Sequence, residues 1–354
     1  MRKWIALGTS SLALACGGSS EPAAAPEAPP TVVTPPAAAA EPSSASAATA
    51  AAPTAEEQKK LQEQRKLEED FAKLEAERQR ELSRLTPDIR KSSQALAEKS
   101  YPSLAAALNA ALAGPHRKPE SKERDAQRHP RETLEVFGIK PNHSVLEYGP
   151  GEGWYTELLA PALAKNGKLY VTMADPSGPR EQRSTFYGVR TKYFLEKLPE
   201  VYGKVEPVIV DGASPKLPFD AKLDAVVLIR GAHGMYNNKT LDAWLGEFHR
   251  ALKPSGVLGI EQHRAAAGKS PDETSKQGYL AEAFVVERVE AAGFKLTSKS
   301  EVNANPKDTK DHPEGVWSLP PTLREGEKNR DKYIGIGESD RMTLRFVKRA
   351  SGST

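Results

Sequence analysis

An α/β fold with a doubly wound, largely parallel sheet is predicted, on three features of the sequence. From about Glu132 onward, apolar strand-like runs alternate with helix-like stretches, the pattern that gives a parallel sheet covered by helices. One run, Leu223–Ile229, is apolar at nearly every position, as a strand buried on both faces must be. A glycine-rich turn, Glu147-x-Gly149-x-Gly151-x-Gly153, follows the first strand and opens the first helix of the alternation. Glycines there let the backbone bend sharply and approach a ligand closely.

The elements follow in order. Ser144–Glu147 is a short strand, and Trp154–Leu163 is the helix after the glycine turn. Gly167 ends that helix region, and Lys168–Ala174 is a second strand running into Asp175. Val205–Val210 is a third, ending at Asp211, and Leu223–Ile229 is a fourth. Leu241–Leu252 is an amphipathic helix and Val257–Gln262 a fifth strand. Ala281–Ala292 is a helix closed by Gly293, and Phe294–Ser298 and Met342–Val347 are the last two strands. Residues 303–341 between them are too many for an ordinary loop. Pro313, Gly315, Trp317, Pro320 and Pro321 mark this insertion as a stiff, ordered segment, expected to shape an acceptor site as a lid or to extend the surface by packing Trp317.

The chain ahead of this domain divides by composition. Residues 1–16 carry Arg2 and Lys3, an apolar stretch from Trp4 to Ala15, and the one cysteine, Cys16. The stretch is too short to span a bilayer and reads as a secretory signal. Leu12-Ala13-Leu14-Ala15-Cys16 resembles a bacterial lipobox, although Ala13 stands where that pattern favours Leu. Cys16 is the expected lipidation site, with acyl chains anchoring at about 0.8 kcal/mol per buried CH₂. Gly17, not Asp, follows it, which by the lipoprotein sorting pattern points to the outer membrane. The expected address is therefore the bacterial cell envelope, lipid-anchored on the periplasmic face.

Residues 17–54 are an Ala/Pro-rich, disordered linker. Residues 55–86 form a charged helix rich in Glu, Lys, Gln and Arg. Its apolar seam of Leu67, Phe71 and Leu74 gives way to Arg78 and Glu81, so a sustained coiled coil is not supported. A solvated helix or a weak partner-binding helix is expected, stopped at Thr86-Pro87. A small Ala/Leu helix spans about Pro102–Leu112, and residues 87–354 form the α/β domain with these N-terminal helices and the 303–341 insertion included.

Charge and cysteine content exclude some classes. The chain of 354 residues has 50 Lys+Arg against 47 Asp+Glu, a formal charge of +3. No nucleic acid is expected as partner, since such domains show a clustered basic excess. One Cys excludes an intrachain disulfide framework and a multi-cysteine metal site, and the histidines show no metal-ligand spacing.

The site follows from the sheet. Ligands of such folds bind outside the carboxyl ends of the strands. A dinucleotide would want Gly-x-Gly-x-x-Gly, but Trp154 follows Gly153, and Glu147 would repel a diphosphate. Glu147 instead suits a ligand with an ammonium group and hydroxyls. Asp175 ends the second strand, where a carboxylate can hold both ribose hydroxyls, and Asp211 ends the third, where it can meet an adenine amino group.

These residues resemble those of class I S-adenosylmethionine-dependent methyltransferases. The similarity lies in "VLEYGPGEGWYTELLA", "VDGASPKLPFDAKLDAVVLIRGAHG", "FHRALKPSGVLGIEQH" and "VERVEAAGFKL", and covers roughly Arg117–Lys348. A more particular similarity, to a bacterial family of predicted methyltransferases of unestablished substrate, rests on "RDAQRHPRETLEVFGIKP", "GWYTELLAP", "IEQHRA", "NANPKDTKDHPEGVWSLPPTL" and "IGESDRMTLRF". The resemblance implies a Rossmann-like seven-stranded sheet of order 3-2-1-4-5-7-6, last strand antiparallel, flanked by helices. It implies S-adenosylmethionine as cofactor, with Gly149, Gly151 and Gly153 beneath its methionine part and Glu147 nearby. Asp175 would hold the ribose, and Asp211 with Gly212 the adenine. Glu147 to Asp175 is longer than in compact members because of "KNGK", read as a surface insertion.

Methyl transfer needs positioning and exclusion of water, and a base where the acceptor is a hydroxyl or amine. His233 and His263, after the fourth and fifth strands, are the candidate catalytic residues, expected on one pocket rim. Tyr155, Arg230 and Trp317 are candidate substrate contacts. The acceptor is unidentified, a small molecule or an envelope component. The expected address conflicts with a cofactor made in the cytoplasm, so two classes stand: an active methyltransferase, or an exported, catalytically inactive binding module of the same fold.

Overall fold

The apolar runs pair as their alternation requires. The computed structural model describes residues 54–349; the expected signal, Cys16 and the linker before Thr54 lie outside them. The strands are β1 (Ser144–Tyr148), β2 (Lys168–Met173), β3 (Glu206–Ile209), β4 (Leu223–Ile229), β5 (Leu252–His263), β6 (Phe294–Ser300) and β7 (Arg341–Lys348). They form one sheet of order β3-β2-β1-β4-β5-β7-β6. The first five are parallel to their neighbours, and β7 runs antiparallel between β5 and β6. This is the expected Rossmann-like topology.

The pleat sorts the core into two layers. Val145, Val171, Ala225, Val227 and Val257 bury one face, and Leu146, Val208, Val226, Leu228, Leu258 and Ile260 the other. The start of β5 was expected at Val257. It lies at Leu252, which pairs with Leu223 before a register shift carries Val257 opposite Ala225. Ser255 sits at φ +62 within that irregular stretch.

Among the described residues six helices precede β1: α1 (Ala55–Arg84), α2 (Pro87–Glu98), α3 (Leu104–Ala113), α4 (Pro119–Glu123), α5 (Asp125–Arg128) and α6 (Pro130–Val136). Thr86-Pro87 does more than stop α1. Thr86 caps α2 through its side chain and Pro87 takes the first turn, where its missing N–H costs nothing. Between β1 and β3 lie α7 (Thr156–Leu163), α8 (Arg183–Glu196) and α9 (Pro199–Tyr202). After β4 come α10 (Ala232–Asn237) and α11 (Leu241–Ala251), after β5 α12 (Pro271–Thr274) and α13 (Glu282–Ala291), and before β7 α14 (Arg330–Ile336).

The solvated α1 expected from its charges is corrected by its seam. Leu67 and Phe71 are buried with Phe186 of α8, and the two phenyl rings meet edge to face at 5.3 Å. Arg183 of α8 pairs with Asp70 at 2.5 Å. The short apolar seam is thus covered by the chain's own domain. Among the described residues no helix is long and apolar enough to cross a membrane.

Candidate active site

Every glycine of the turn after β1 has a left-handed φ: +53 at Gly149, +63 at Gly151 and +83 at Gly153. At Gly153 a side chain is excluded twice, by that φ and because a Cβ would stand 2.3 Å from the Phe194 ring. At Gly149 the space a Cβ would take is open, and its N–H donates to Thr172 Oγ1 at 2.8 Å. The turn is therefore a pinned backbone with an open face.

Glu147 lies beneath this turn, 3% exposed. Burial pushes its carboxyl up to about 7, while the Thr156 hydroxyl, donating at 2.7 Å, works the other way. A buried carboxyl that has, among the described residues, a single hydrogen-bond donor and no cationic partner suits an incoming ammonium group. Asp175 and Asp211 stand exposed just beyond the ends of β2 and β3. Each turns one oxygen onto a backbone N–H two residues on, Ser177 and Ala213 respectively. Gly212 is exposed with open space at its Cβ position. β3, β2 and β1 are neighbours, so the three acidic residues follow one sheet edge.

A cleft of about 350 Å³ opens over the glycine turn. Glu147, Gly149, Gly151, Tyr155 and Arg230 line it, and so do Pro321 and Thr322 of the 303–341 insertion. The insertion thus supplies a wall of the site, but it is not a separable lid. Buried Asn303 donates to Thr133 and Thr343, at 2.8 and 2.9 Å. Buried Asp308 accepts from Tyr279, His312 and the backbone N–H of Asp340.

Among the expected substrate contacts, Tyr155 and Arg230 reach the cleft, though Tyr155 is 3% exposed and its hydroxyl donates to Glu261 at 2.7 Å. Burial and that carboxylate push its phenol well up. Trp317 is half-buried and packs on the His233 ring at 6.0 Å, under the Arg324 guanidinium.

The expectation that His233 and His263 share the rim needs correction. Their rings do converge, with centroids 5.9 Å apart, but neither is among the residues lining the cleft. His233 Nδ1 lies 3.3–3.4 Å from the Gln262 amide, and His263 Nδ1 lies 2.5 Å from Ser339 Oγ. Burial lowers both imidazoles. Arg230 adds to this at both, His233 adds at His263, and the Gln262 contact opposes it at His233. Among the described residues no group of three or more His, Cys, Asp or Glu is placed to hold a metal ion.

Sequence reasoning named Arg230 but missed the arginines around it. Arg124, just ahead of α5, and Arg128 of α5 line the cleft with Arg190 of α8. Arg124, Arg128, Arg230 and Arg341 all point at one carboxylate, Glu338, at 3.4, 2.8, 3.9 and 2.5 Å. Burial pushes the Glu338 carboxyl up, but Arg128, Arg341 and Arg230 outweigh it and hold it at about 2. Arg124, Arg128, Glu338 and Arg341 fall inside two of the quoted similar segments, "RDAQRHPRETLEVFGIKP" and "IGESDRMTLRF". Those segments were therefore the available signal.

No protein with a curated description matches the chain. Similar solved structures include the cyclase SpnF, at 18% identity over 64% of this chain and 82% of that one, TM-score 0.46. A SAM-dependent methyltransferase from Aquifex aeolicus matches at 20% identity over 65% and 93%, TM-score 0.43. The 1,6-didemethyltoxoflavin-N1-methyltransferase of Burkholderia thailandensis, solved with bound 1,6-didemethyltoxoflavin and S-adenosylhomocysteine, matches at 14% over 65% and 81%, TM-score 0.39. The family model described as a methyltransferase domain matches residues 121–299, half of the chain. The chain belongs to this methyltransferase-domain family.

Proposed function

We propose that this member is an active methyltransferase acting on a small molecule or an envelope component. The observation that carries the reading is the buried Glu147 carboxyl beneath an open glycine turn, in a cleft reached by the chain from both ends. S-adenosylmethionine, when bound, supplies a methyl group already activated on a sulfonium.

The residues present fit that cofactor. Glu147 takes its ammonium group, the turn from Gly149 to Gly153 passes beneath its methionine part, Asp175 accepts from ribose hydroxyls, and Asp211 with Gly212 meets the adenine. The rest of the work is positioning and drying the acceptor. Tyr155, held by Glu261, and the wall of Pro321 and Thr322 do this on the acceptor side. His233 and His263 keep neutral rings with the chemistry of a base. Lying behind the cleft wall, they serve as positioning residues that carry Trp317 and the insertion.

We also propose that Cys16 is lipidated and that residues 17–54 tether the domain to the outer membrane on its periplasmic face. The arrangement of small residues before a lone cysteine supports this. A Cys16→Ser variant should lose both fatty-acyl label and membrane fractionation.

The deciding experiment measures S-adenosylmethionine binding by calorimetry, and transfer of labelled methyl to an envelope extract, beside Asp175→Ala. Saturable binding weakened about tenfold or more by the variant, with label transferred, supports the enzyme. Binding without transfer supports the exported, inactive module. A folded chain that does not bind refutes the cofactor assignment.

A further inference from the structure

The side chains lining the cleft carry more positive than negative charge. Arg124, Arg128, Arg190 and Arg230 face Glu147 and Glu152 there. Glu152 is exposed, and Glu147 is buried under the glycine turn. Glu338 stands behind the wall and is shared among Arg124, Arg128, Arg230 and Arg341. Glu261, the other carboxylate nearby, is taken by Arg341 at 3.2 Å and by the Tyr155 hydroxyl. One carboxylate cannot saturate four guanidinium groups, each a fork of N–H donors. The strain is visible in the arginines themselves. Burial brings Arg128 down to about 9, Arg230 repels it further, and Glu338 only partly compensates.

Arg230 is the least satisfied of the four arginines around Glu338. Its side chain is 23% exposed, it approaches Glu338 no closer than 3.9 Å, and among the described residues its guanidinium makes no hydrogen bond to the protein. The residue is also held in a left-handed conformation, φ +54, fixed by its N–H donating to Glu261 O at 2.6 Å. A non-glycine residue is strained there, and this conformation brings the side chain to the cleft at the end of β4.

We propose that the methyl acceptor is an oxyanion, and that its carboxylate or phosphate group docks on Arg230 together with Arg124 at the mouth of the cleft. The inference rests on the methyl-transfer reading and names its substrate class. The charge balance points the same way. S-adenosylmethionine brings an ammonium, a sulfonium and one carboxylate, so its arrival adds to the positive excess. Even if one arginine takes the cofactor's carboxylate, the others remain, and an anionic acceptor neutralises them. Planar guanidinium groups recognise carboxylate and phosphate alike.

The test titrates inorganic phosphate into the full chain saturated with S-adenosylhomocysteine, at constant ionic strength held with chloride, by calorimetry. Saturable binding is expected, about tenfold or more weaker in Arg230→Gln and in Arg124→Gln. The affinity of Arg230→Gln for S-adenosylhomocysteine should change by less than about threefold. Arg124→Gln covers the case in which Arg230→Gln, at its special φ, fails to fold.

No saturable phosphate binding by the loaded protein overturns the inference. Binding unchanged in both variants means an adventitious ion only and also overturns it. Phosphate that competes with S-adenosylhomocysteine instead of joining it assigns the arginines to the cofactor's carboxylate, a third refutation. Failure of S-adenosylhomocysteine itself to bind overturns the methyl-transfer reading, and with it this inference, whereas the other three outcomes leave that reading standing.

Discussion

Lowering the pH from 8 to 6 should weaken cofactor binding about tenfold, because Glu147 must give up a proton to hold an ammonium group. Its carboxyl is buried, and burial, only partly opposed by Thr156, sets it at about 7. Below that pH the free protein is mostly protonated at this position. Binding then releases a proton, and the dissociation constant rises by close to a factor of ten per pH unit, about 1.4 kcal/mol. Above pH 7 the dependence flattens. Calorimetry with S-adenosylhomocysteine at pH 6, 7 and 8 reads the affinity. Repetition in two buffers of different ionisation heat counts the proton.

The same shift has a stability consequence of opposite use. The native carboxyl holds its proton more tightly than the unfolded chain, whose group titrates near 4.5. Stability therefore falls as pH rises from about 4.5 through about 7, by on the order of 3 kcal/mol in all. Glu147→Gln should raise Tm at pH 8, flatten its dependence on pH, and lose both cofactor affinity and the binding profile. A dissociation constant flat between pH 6 and 8, or a Gln variant that keeps the slope, would refute the reasoning.

Two further variants probe how the domain is assembled. Phe71→Ala removes a 5%-exposed ring packed on Phe186, a loss of about 3 kcal/mol that falls on the docking of α1. Trypsin should then cut within residues 55–84 while cofactor binding persists; an α1 as protected as in the parent chain would contradict this. Asp308→Ala strands the donors of Tyr279, His312 and Asp340 in the interior. At about 1–3 kcal/mol for a stranded group, Tm should drop by roughly 5–10 °C. Methyl transfer should suffer more than cofactor affinity, and equal losses in both would count against the insertion as an acceptor wall.

The half of the cleft proposed for the cofactor was legible because it is local. Glu147 and the three glycines lie within seven consecutive residues, and Asp175 and Asp211 follow runs whose strand character is plain from their apolar pattern. The acceptor half was not. Position at a strand end suggested that His233 and His263 meet the rim, but side chains alternate between faces along a strand, and the end of a strand does not say which face a residue takes. His263 turned out to reach Ser339 from the insertion, a contact across 76 residues. The seam of α1 had the spacing of a weak coiled coil, and its partner Phe186 lies on α8, after two strands have passed. α8 itself escaped the sequence reading because its buried side, Thr185, Phe186, Gly188, Thr191 and Phe194, mixes small and polar residues with aromatics and makes a faint stripe.

The Glu338 cluster shows why composition was silent on the acceptor. A formal charge of +3 on the whole chain hides a local excess, because charge is balanced over the surface and unbalanced in one cleft. Arg128 and Arg341 are each about 2% exposed or less. Taking charges out of water costs several kcal/mol per ion, and apolar replacements of buried ion pairs are often neutral or stabilising. Four guanidinium groups on one carboxylate are therefore a poor way to join α5 to the strand β7 that follows the insertion, if joining were the only purpose. An anion bound between Arg230 and Arg124 changes that balance, since it supplies the missing acceptors where the arginines are least satisfied. The cost is relieved when an anion binds, so the interaction that holds the two ends of the domain together is also the one that favours a negatively charged acceptor.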